Sequence, residues 1–169
     1  MHTVAQRRSP PPDPRDFRNA LGQFGTGVAV ITTCDDDGRP YGLTATSFNS
    51  VSLDPPLILW SLRANSQSLP AFRGATHFAV NVLAEAQVDL SRRFASPQTD
   101  KFGEGQWADG LGGAPILAGC AAVLECERFS EHVAGDHVLF IGRVRRLFEA
   151  PLQPLVFQSG RYHLLGEIL

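Results

Sequence analysis

Between Leu43 and Phe48 the chain reads Leu-Thr-Ala-Thr-Ser-Phe. Small side chains there let a flat ligand approach the backbone. Hydroxyls and free amides in the same stretch can hydrogen-bond a ring edge or a phosphate. On residues alone it could equally be a strand end with its hydroxyls in water. Two neighbours favour a ligand. Asn65-Ser66-Gln67-Ser68 follows the next apolar run, and a Ser or Asn there can cap a helix whose free amides bind phosphate. Asn81 sits inside the apolar run His77–Leu83, and a buried amide needs a partner, from the protein or from a ligand. A third group, Gly135-Asp136-His137, places an imidazole at a turn; by residue type alone it is a surface turn.

The elements that must position these groups are mostly strands. Asp13-Pro14 has the form of a helix N-cap followed by its first residue. Phe17, Ala20, Leu21 and Phe24 recur at helical spacing, and Gly25 stands where that helix would stop. Val28–Cys34 is a continuous β-branched run, Asp35–Gly38 a turn, and Pro40–Thr46 the returning strand. Leu57–Leu62 and His77–Leu83 are further strands. A short helix carries Leu69 and Phe72, and a second carries Ala86, Leu90 and Phe94. Ala95–Pro115 is glycine-rich and weakly patterned, so it is expected as one long loop, a length that is usually functional or mobile. Cys120–Phe129 and Val138–Leu147 alternate as half-buried strands, and Leu155–Phe157 and Tyr162–Leu165 close the chain. Trp60 is expected in the core and Trp107 at the surface. His77 and His163 are read as structural, and Arg143 and Arg145 as a solvated strand face.

Composition bounds the classes. The chain has 169 residues, 43% hydrophobic and 19% charged, with a formal net charge of −2. These values fit one globular domain and give no basic footprint for nucleic acid. No apolar run approaches the ~20 residues of a membrane span. The first residues lack the apolar stretch of a signal peptide, so residues 1–13 are expected as a flexible, proline-rich tail before a domain at 14–169, with a cytoplasmic location. Cys34, Cys120 and Cys126 match no zinc pattern, no metal site is expected, and Cys120 and Cys126 could face one side of a single strand. Gly22, Gly25 and Gly27 do not form the glycine fingerprint of a dinucleotide-binding Rossmann turn.

Taken in order, Phe17-Arg18-Asn19-Ala20, Thr26-Gly27-Val28, Gly42–Phe48, Asp54-Pro55-Pro56, Phe78–Leu83, Gly135-Asp136-His137, Leu139–Gly142 and Ser159–His163 resemble the short-chain flavin reductases. These are the reductase components of two-component flavin-dependent monooxygenases. The likeness runs from about Arg15 to Gly166. It implies a mostly β fold, a split β-barrel of antiparallel, Greek-key type strands with flanking helices. It also implies a homodimer that binds FMN or FAD, reduces it with NADH or NADPH, and supplies reduced flavin to a monooxygenase. By the same resemblance, Leu43, Thr44, Ala45, Thr46 and Ser47 line the isoalloxazine and ribityl chain. Ser61, Asn65 and Ser66 meet the phosphate, where family members often carry Arg or Lys and this chain offers Arg63. Asn81, Val82 and Leu83 present backbone to the ring edge, and Lys101 and Phe102 lie near a second phosphate. His137 serves the nicotinamide as the catalytic residue, and Ser159, Gly160, Arg161 and Tyr162 close over its nucleotide. Reductases of a cobalt corrinoid or a ferric chelate, and flavin-binding proteins without reductase activity, are the competing expectations.

Overall fold

The computed structural model describes residues 10–168. Of the expected tail, residues 1–9 lie outside this range and residues 10–13 are exposed. The first helix, α1 (Pro14–Gly22), begins as its sequence requires. Asp13 accepts from the backbone N–H groups of Arg15 at 2.8 Å and Asp16 at 3.3 Å, with proline in the first turn. It ends at Gly22, with Gln23 as its cap, rather than at Gly25.

Twelve strands follow in chain order: β1 (Thr26–Gly27), β2 (Ala29–Cys34), β3 (Pro40–Ala45), β4 (Asn49–Leu53), β5 (Pro56–Arg63), β6 (His77–Val82), β7 (Trp107–Asp109), β8 (Pro115–Leu117), β9 (Ala122–Ala134), β10 (His137–Glu149), β11 (Val156–Gln158) and β12 (Arg161–His163). Helix α2 (Leu69–Gly74) joins β5 to β6. A 3-10 turn at Glu85–Gln87 leads into α3 (Val88–Ala95). Seven strands form one sheet in the order β3-β2-β6-β9-β10-β5-β4, antiparallel throughout. The sheet curls without closing: β3 has β2 on one side and an open edge on the other. This is the antiparallel, mostly β architecture expected, with the barrel split beside β3.

Why β2 reads as an unbroken apolar run is now plain. Successive strand residues face opposite sides, and both sides of β2 are covered. Ala29 and Ile31 enter an interior cluster with Trp60, Phe72, Phe78, Val80, Val138 and Phe140. Val28 and Val30 enter a second cluster, beneath α3, with Leu83, Phe94, Leu117, Cys120 and Leu155. In the first, Trp60 stacks on Phe140 at 4.8 Å and meets Phe72 edge-on at 4.9 Å. Burial of each such side chain contributes about 1.5–3 kcal/mol. The β9–β10 hairpin turns on Gly135-Asp136. Gly135 has φ +60°, the positive first central position that glycine takes in the II′ hairpin turn.

Three expectations are corrected. The stretch Ala95–Pro115 is not structureless, since it contains β7, which pairs with β8. Trp107 is half-buried against Phe94 and Phe102, with Nε1 donating to the Glu104 carbonyl at 2.8 Å. Cys120 and Cys126 do not share a face: one lies in each apolar cluster, because Cys120 precedes β9 instead of belonging to it. The strand β4 has no counterpart in the sequence reading. Arg145 does lie on a solvated face, paired with Glu127, while Arg143 lies over the Phe129 ring at 5.1 Å.

Candidate functional site

Because neighbouring strands alternate in direction across the sheet, β3 and β5 run antiparallel on the two sides of the split. They meet at one seam. Ser47, just past β3, accepts from the Ser61 N–H at 3.0 Å and donates to the Ser61 carbonyl at 3.3 Å. From that seam the two edges diverge, one back towards Arg39, the other on to Arg63 and Ser66. The space between is a cleft of about 760 Å³.

The β3 edge of the cleft is bare backbone. Leu83 N–H bonds to the Val28 carbonyl, so Val28, Val30 and Thr32 direct their peptide groups to β6, and the intervening residues of β2 bond β3. On β3 the peptide groups of Gly42 and Thr44 are therefore the ones left facing the split. Gly42 admits the other wall. A Cβ there would stand 2.5 Å from Phe94 Cε1 and 3.1 Å from Phe102 Cζ, so only glycine lets α3 approach so closely. Thr44 Oγ1 donates to the Ser91 carbonyl at 2.6 Å and ties β3 to α3.

The wall beyond α3 is held by its own hydrogen bonds. Arg93 donates to the Asp100 carbonyl at 2.9 Å and pairs with Glu104. Lys101 Nζ donates to the Phe94 carbonyl at 3.0 Å, at the C-terminal end of α3, where a cation is favoured. Partial burial lowers the Lys101 pKa from its ordinary value. Phe102 meets Phe94 edge-on at 5.1 Å.

Across β5, His137 opens β10 opposite Arg63. Its Nδ1 lies 2.7 Å from Asp136 Oδ1. This hydrogen bond, with the imidazole's charge next, holds the Asp136 carboxyl below the usual carboxylate range. An ionised carboxylate is acceptor-only, so Nδ1 is the donor in this pair, and Nε2 takes no part in it. Among the described residues, those around the cleft include Arg39, Arg63, Lys101 and His137, and no Asp or Glu. In a chain of net charge −2, this is a local positive field suited to an anionic ligand.

Of the sequence candidates, Leu43, Thr44, Ala45, Thr46, Ser47, Ser61, Asn65, Ser66, Lys101, Phe102 and His137 all border this cleft. Asn81, Val82 and Leu83 do not. Asn81 is fully buried and its amide is spent on the protein. It donates to the Val30 carbonyl at 3.0 Å and to Thr32 Oγ1 at 3.2 Å, and accepts from Leu117 N–H at 2.8 Å. Leu83 is core. Ser159, Gly160, Arg161 and Tyr162 lie on the β11–β12 hairpin, also apart from the cleft in this chain. Ser159 bonds Gly22, and Tyr162 Oη bonds Ser91 Oγ at 2.9 Å, bracing the helix that covers β3. Sequence reasoning missed Arg39, Tyr41 and the segment Pro97–Thr99 as lining. Arg39 falls between the Asp35–Gly38 turn and β3, and nothing in its local sequence marks it. Only the curl of the sheet brings it over the split.

The flavin reductase like domain model matches residues 21–166. The chain belongs to that family. This flavin reductase-like chain is 45% identical over 150 residues to a stachydrine N-demethylase reductase subunit, Stc3, of Rhizobium meliloti, with 89% of this chain and 65% of that protein covered. It is 45% identical over 148 residues to the FMN reductase (NADH) SmoA of Agrobacterium fabrum, covering 88% of this chain and 84% of that one. Among solved structures, the Streptomyces globisporus NADH:FAD oxidoreductase SgcE6, in complex with NAD and FAD fragments, superposes with a TM-score of 0.86 at 35% identity, covering 94% and 98% of the two chains. The chain spans under two thirds of Stc3, and 48% of the reductase component of an Acinetobacter baylyi trigonelline monooxygenase. No described helix of this flavin reductase-like domain is long and apolar enough to cross a membrane.

Proposed function

We propose that this chain is an NAD(P)H:flavin oxidoreductase that supplies reduced flavin to a monooxygenase in the cytoplasm. The observation that carries the reading is the cleft: bare β3 backbone on one side, hydroxyls and three cations around it, and no carboxylate among the described residues. A flavin mononucleotide or dinucleotide matches that chemistry, with a planar ring bearing donors and acceptors at one end and phosphate at the other.

A bound flavin supplies the two-electron acceptor, and a dihydronicotinamide supplies the hydride. The chain's own task is to bind, align and dry the site. The Gly42 and Thr44 peptide groups would be the ones to hydrogen-bond a ring edge. Arg63, with Asn65 and Ser66, holds the phosphate. Phe94 of α3 and Phe102, packed edge-on, would help to keep water from that side of the cleft. His137, its Nδ1–H donating to Asp136, would present its Nε2 edge to the second nucleotide, positioning it or, with a proton on Nε2, stabilising negative charge nearby. Alignment at ~3–3.5 Å is sufficient for such a transfer, so no buried general base is needed.

The reading extends to a homodimer. Phe17, Leu21 and Phe24 on and beside α1, and Phe129, Val133, Leu147 and Phe148 on the β9–β10 hairpin, are large apolar side chains left exposed in the single chain. Paired chains would cover them and could bring a partner's Arg161–Tyr162 segment to the cleft. Light scattering on the purified protein tests the dimer.

The activity is tested by titrating the protein with FMN and FAD, then adding NADH or NADPH without air. Bleaching of the oxidised flavin absorbance is expected. His137→Ala should retain flavin and raise the KM for NADH or lower kcat. Ser66→Ala should raise the flavin Kd. Failure of both flavins to bind, or flavin that stays oxidised with both nicotinamides, overturns the reading.

A further inference from the structure

Arg39 lies six residues before Ala45, about 20 Å along β3 at ~3.3 Å per residue. It stands at the end of the cleft opposite the Ser47–Ser61 seam. Its backbone is pinned. Asp35 Oδ1 accepts from Arg39 N–H at 2.8 Å and from Asp37 N–H at 3.1 Å, and Asp35 N–H donates to the Arg39 carbonyl at 3.0 Å. Its guanidinium lies over the Tyr41 ring, 5.7 Å from the centroid. Arg39 and Tyr41 are two apart on an extended segment, so they share a face. Both border the cleft. Arg39 is exposed and forms no ion pair among the described residues.

A single nucleotide with its ring near the seam and its phosphate at Arg63, Asn65 and Ser66 leaves this far end unused. The far end nonetheless has what an adenylate needs. A planar guanidinium pairs with phosphate oxygens along its edge. An aromatic ring beside it is a surface on which a purine stacks. Lys101, whose Nζ donates to the Phe94 carbonyl at 3.0 Å, adds a second cation to the lining. Two phosphates joined in one ligand match cations spread along the groove better than one phosphate does.

We propose that Arg39 and Tyr41 form the adenylate end of the flavin site, and that the chain selects FAD over FMN through them. The inference rests on the flavin reading above and adds the ligand's second half. The pinned Asp35–Arg39 turn means that little ordering is required on binding, so the preference is present in the free protein.

The test is a set of Kd values for FMN, FAD and ADP-ribose with the parent, Arg39→Ala and Tyr41→Ala, together with the KM for NADH. In the parent, FAD should bind at least tenfold more tightly than FMN. Each variant should lose tenfold or more in FAD affinity and under threefold in FMN affinity. Arg39→Lys should recover only part of the loss, since it restores charge without the plane. Equal FMN and FAD affinities in a parent that binds both overturn this inference and leave the flavin reading standing. Equal losses for both flavins also overturn it, because Arg39 would then serve the phosphate they share. A raised KM for NADH with unchanged flavin Kd values assigns the platform to the nicotinamide nucleotide instead. A parent that binds neither flavin overturns both readings.

Discussion

Ser47 and Ser61 stitch the two sides of the split in the sheet: Ser47 Oγ accepts from the Ser61 N–H at 3.0 Å and donates to the Ser61 carbonyl at 3.3 Å. One side chain thereby satisfies both peptide groups of a residue that would otherwise sit at an open edge. The position of the seam also sets the geometry of the cleft, since the edges can only diverge from it. Ser47 therefore holds the two edges together at the seam as well as lining the cleft.

Replacing Ser47 with Ala removes that stitch and leaves a half-buried donor and acceptor to find water. A loss of about 1 kcal/mol in urea unfolding is expected, together with a flavin Kd raised several-fold as the edges part. Ser47→Thr keeps the hydroxyl and should restore most of both. An alanine variant with parental stability and parental flavin affinity would show that the seam does not set the site.

Asn81 illustrates how a correct inference can stop short. An amide in an apolar strand demanded partners, and the structure supplies three from the protein. Asn81→Ala leaves the Leu117 N–H buried and unpaired, which should cost about 1–3 kcal/mol of stability. At a temperature where the variant is folded, its flavin affinity should stay within twofold of the parent's. A large loss of affinity without loss of stability would return Asn81 to the site.

Local patterns made the strands legible. The run Val28–Cys34, the turn Asp35–Gly38, and the alternation on either side of Gly135 are readable because burial has a period of two and turns need particular residues. The seam side of the cleft was legible for the same reason, since Thr44–Ser47 and Ser61–Ser66 are strand ends carrying small polar groups. Arg39 and Tyr41 were not, because the property that matters is which strand lies across the gap. That depends on how seven strands curl. The short strands β7 and β8 escaped notice because Ala95–Pro115 is glycine-rich; they are held by Trp107, Phe102 and Phe94 packing on one another rather than by their own propensity.

Gly42 carries a steric prediction. A methyl group there collides with Phe94 and Phe102, and overpacking of this kind costs about 1–3 kcal/mol. Gly42→Ala should lower Tm and, by pushing α3 and the Lys101 wall outward, weaken flavin binding. Adding Phe94→Leu makes room and should recover part of the stability. A Gly42→Ala protein as stable as the parent would mean that α3 yields without cost.

Asp136 and Glu127 both titrate below the ordinary carboxylate range, held there by hydrogen bonds from His137 and Arg145 respectively. For a carboxyl depressed in the folded state, the stabilisation is complete above its unfolded pKa and is lost as pH falls through the folded value. The His137–Asp136 bond should therefore persist from neutral pH down to the ordinary aspartate value of ~3.9 and fail only in stronger acid. Carbon-detected titration of the Asp136 carboxyl should give a midpoint below that value, and His137→Ala should raise it towards normal. A normal midpoint in the parent would remove Asp136 as the group that fixes the Nδ1 proton.

The three thiols differ in surroundings, and reagents should tell them apart. Burial pushes Cys120 and Cys126 up to about 12. Cys34 is half-buried and donates to the Gly112 carbonyl at 3.1 Å; burial and then the Asp35 charge raise its pKa too. Because the thiolate is the nucleophile, Ellman's reagent at pH 8 should modify Cys34 alone and slowly, with Cys120 and Cys126 reacting only on unfolding. For a thiol raised in the folded state the sign is the reverse of the carboxylates'. Stability is full below the unfolded thiol pKa of ~8.5 and declines as pH rises from there towards 12. Cys126→Ser, which does not ionise in that range, should show a shallower alkaline decline in urea midpoint than the parent. Fast reaction of all three thiols in the native protein would mean that the two apolar clusters open far more readily than their packing implies.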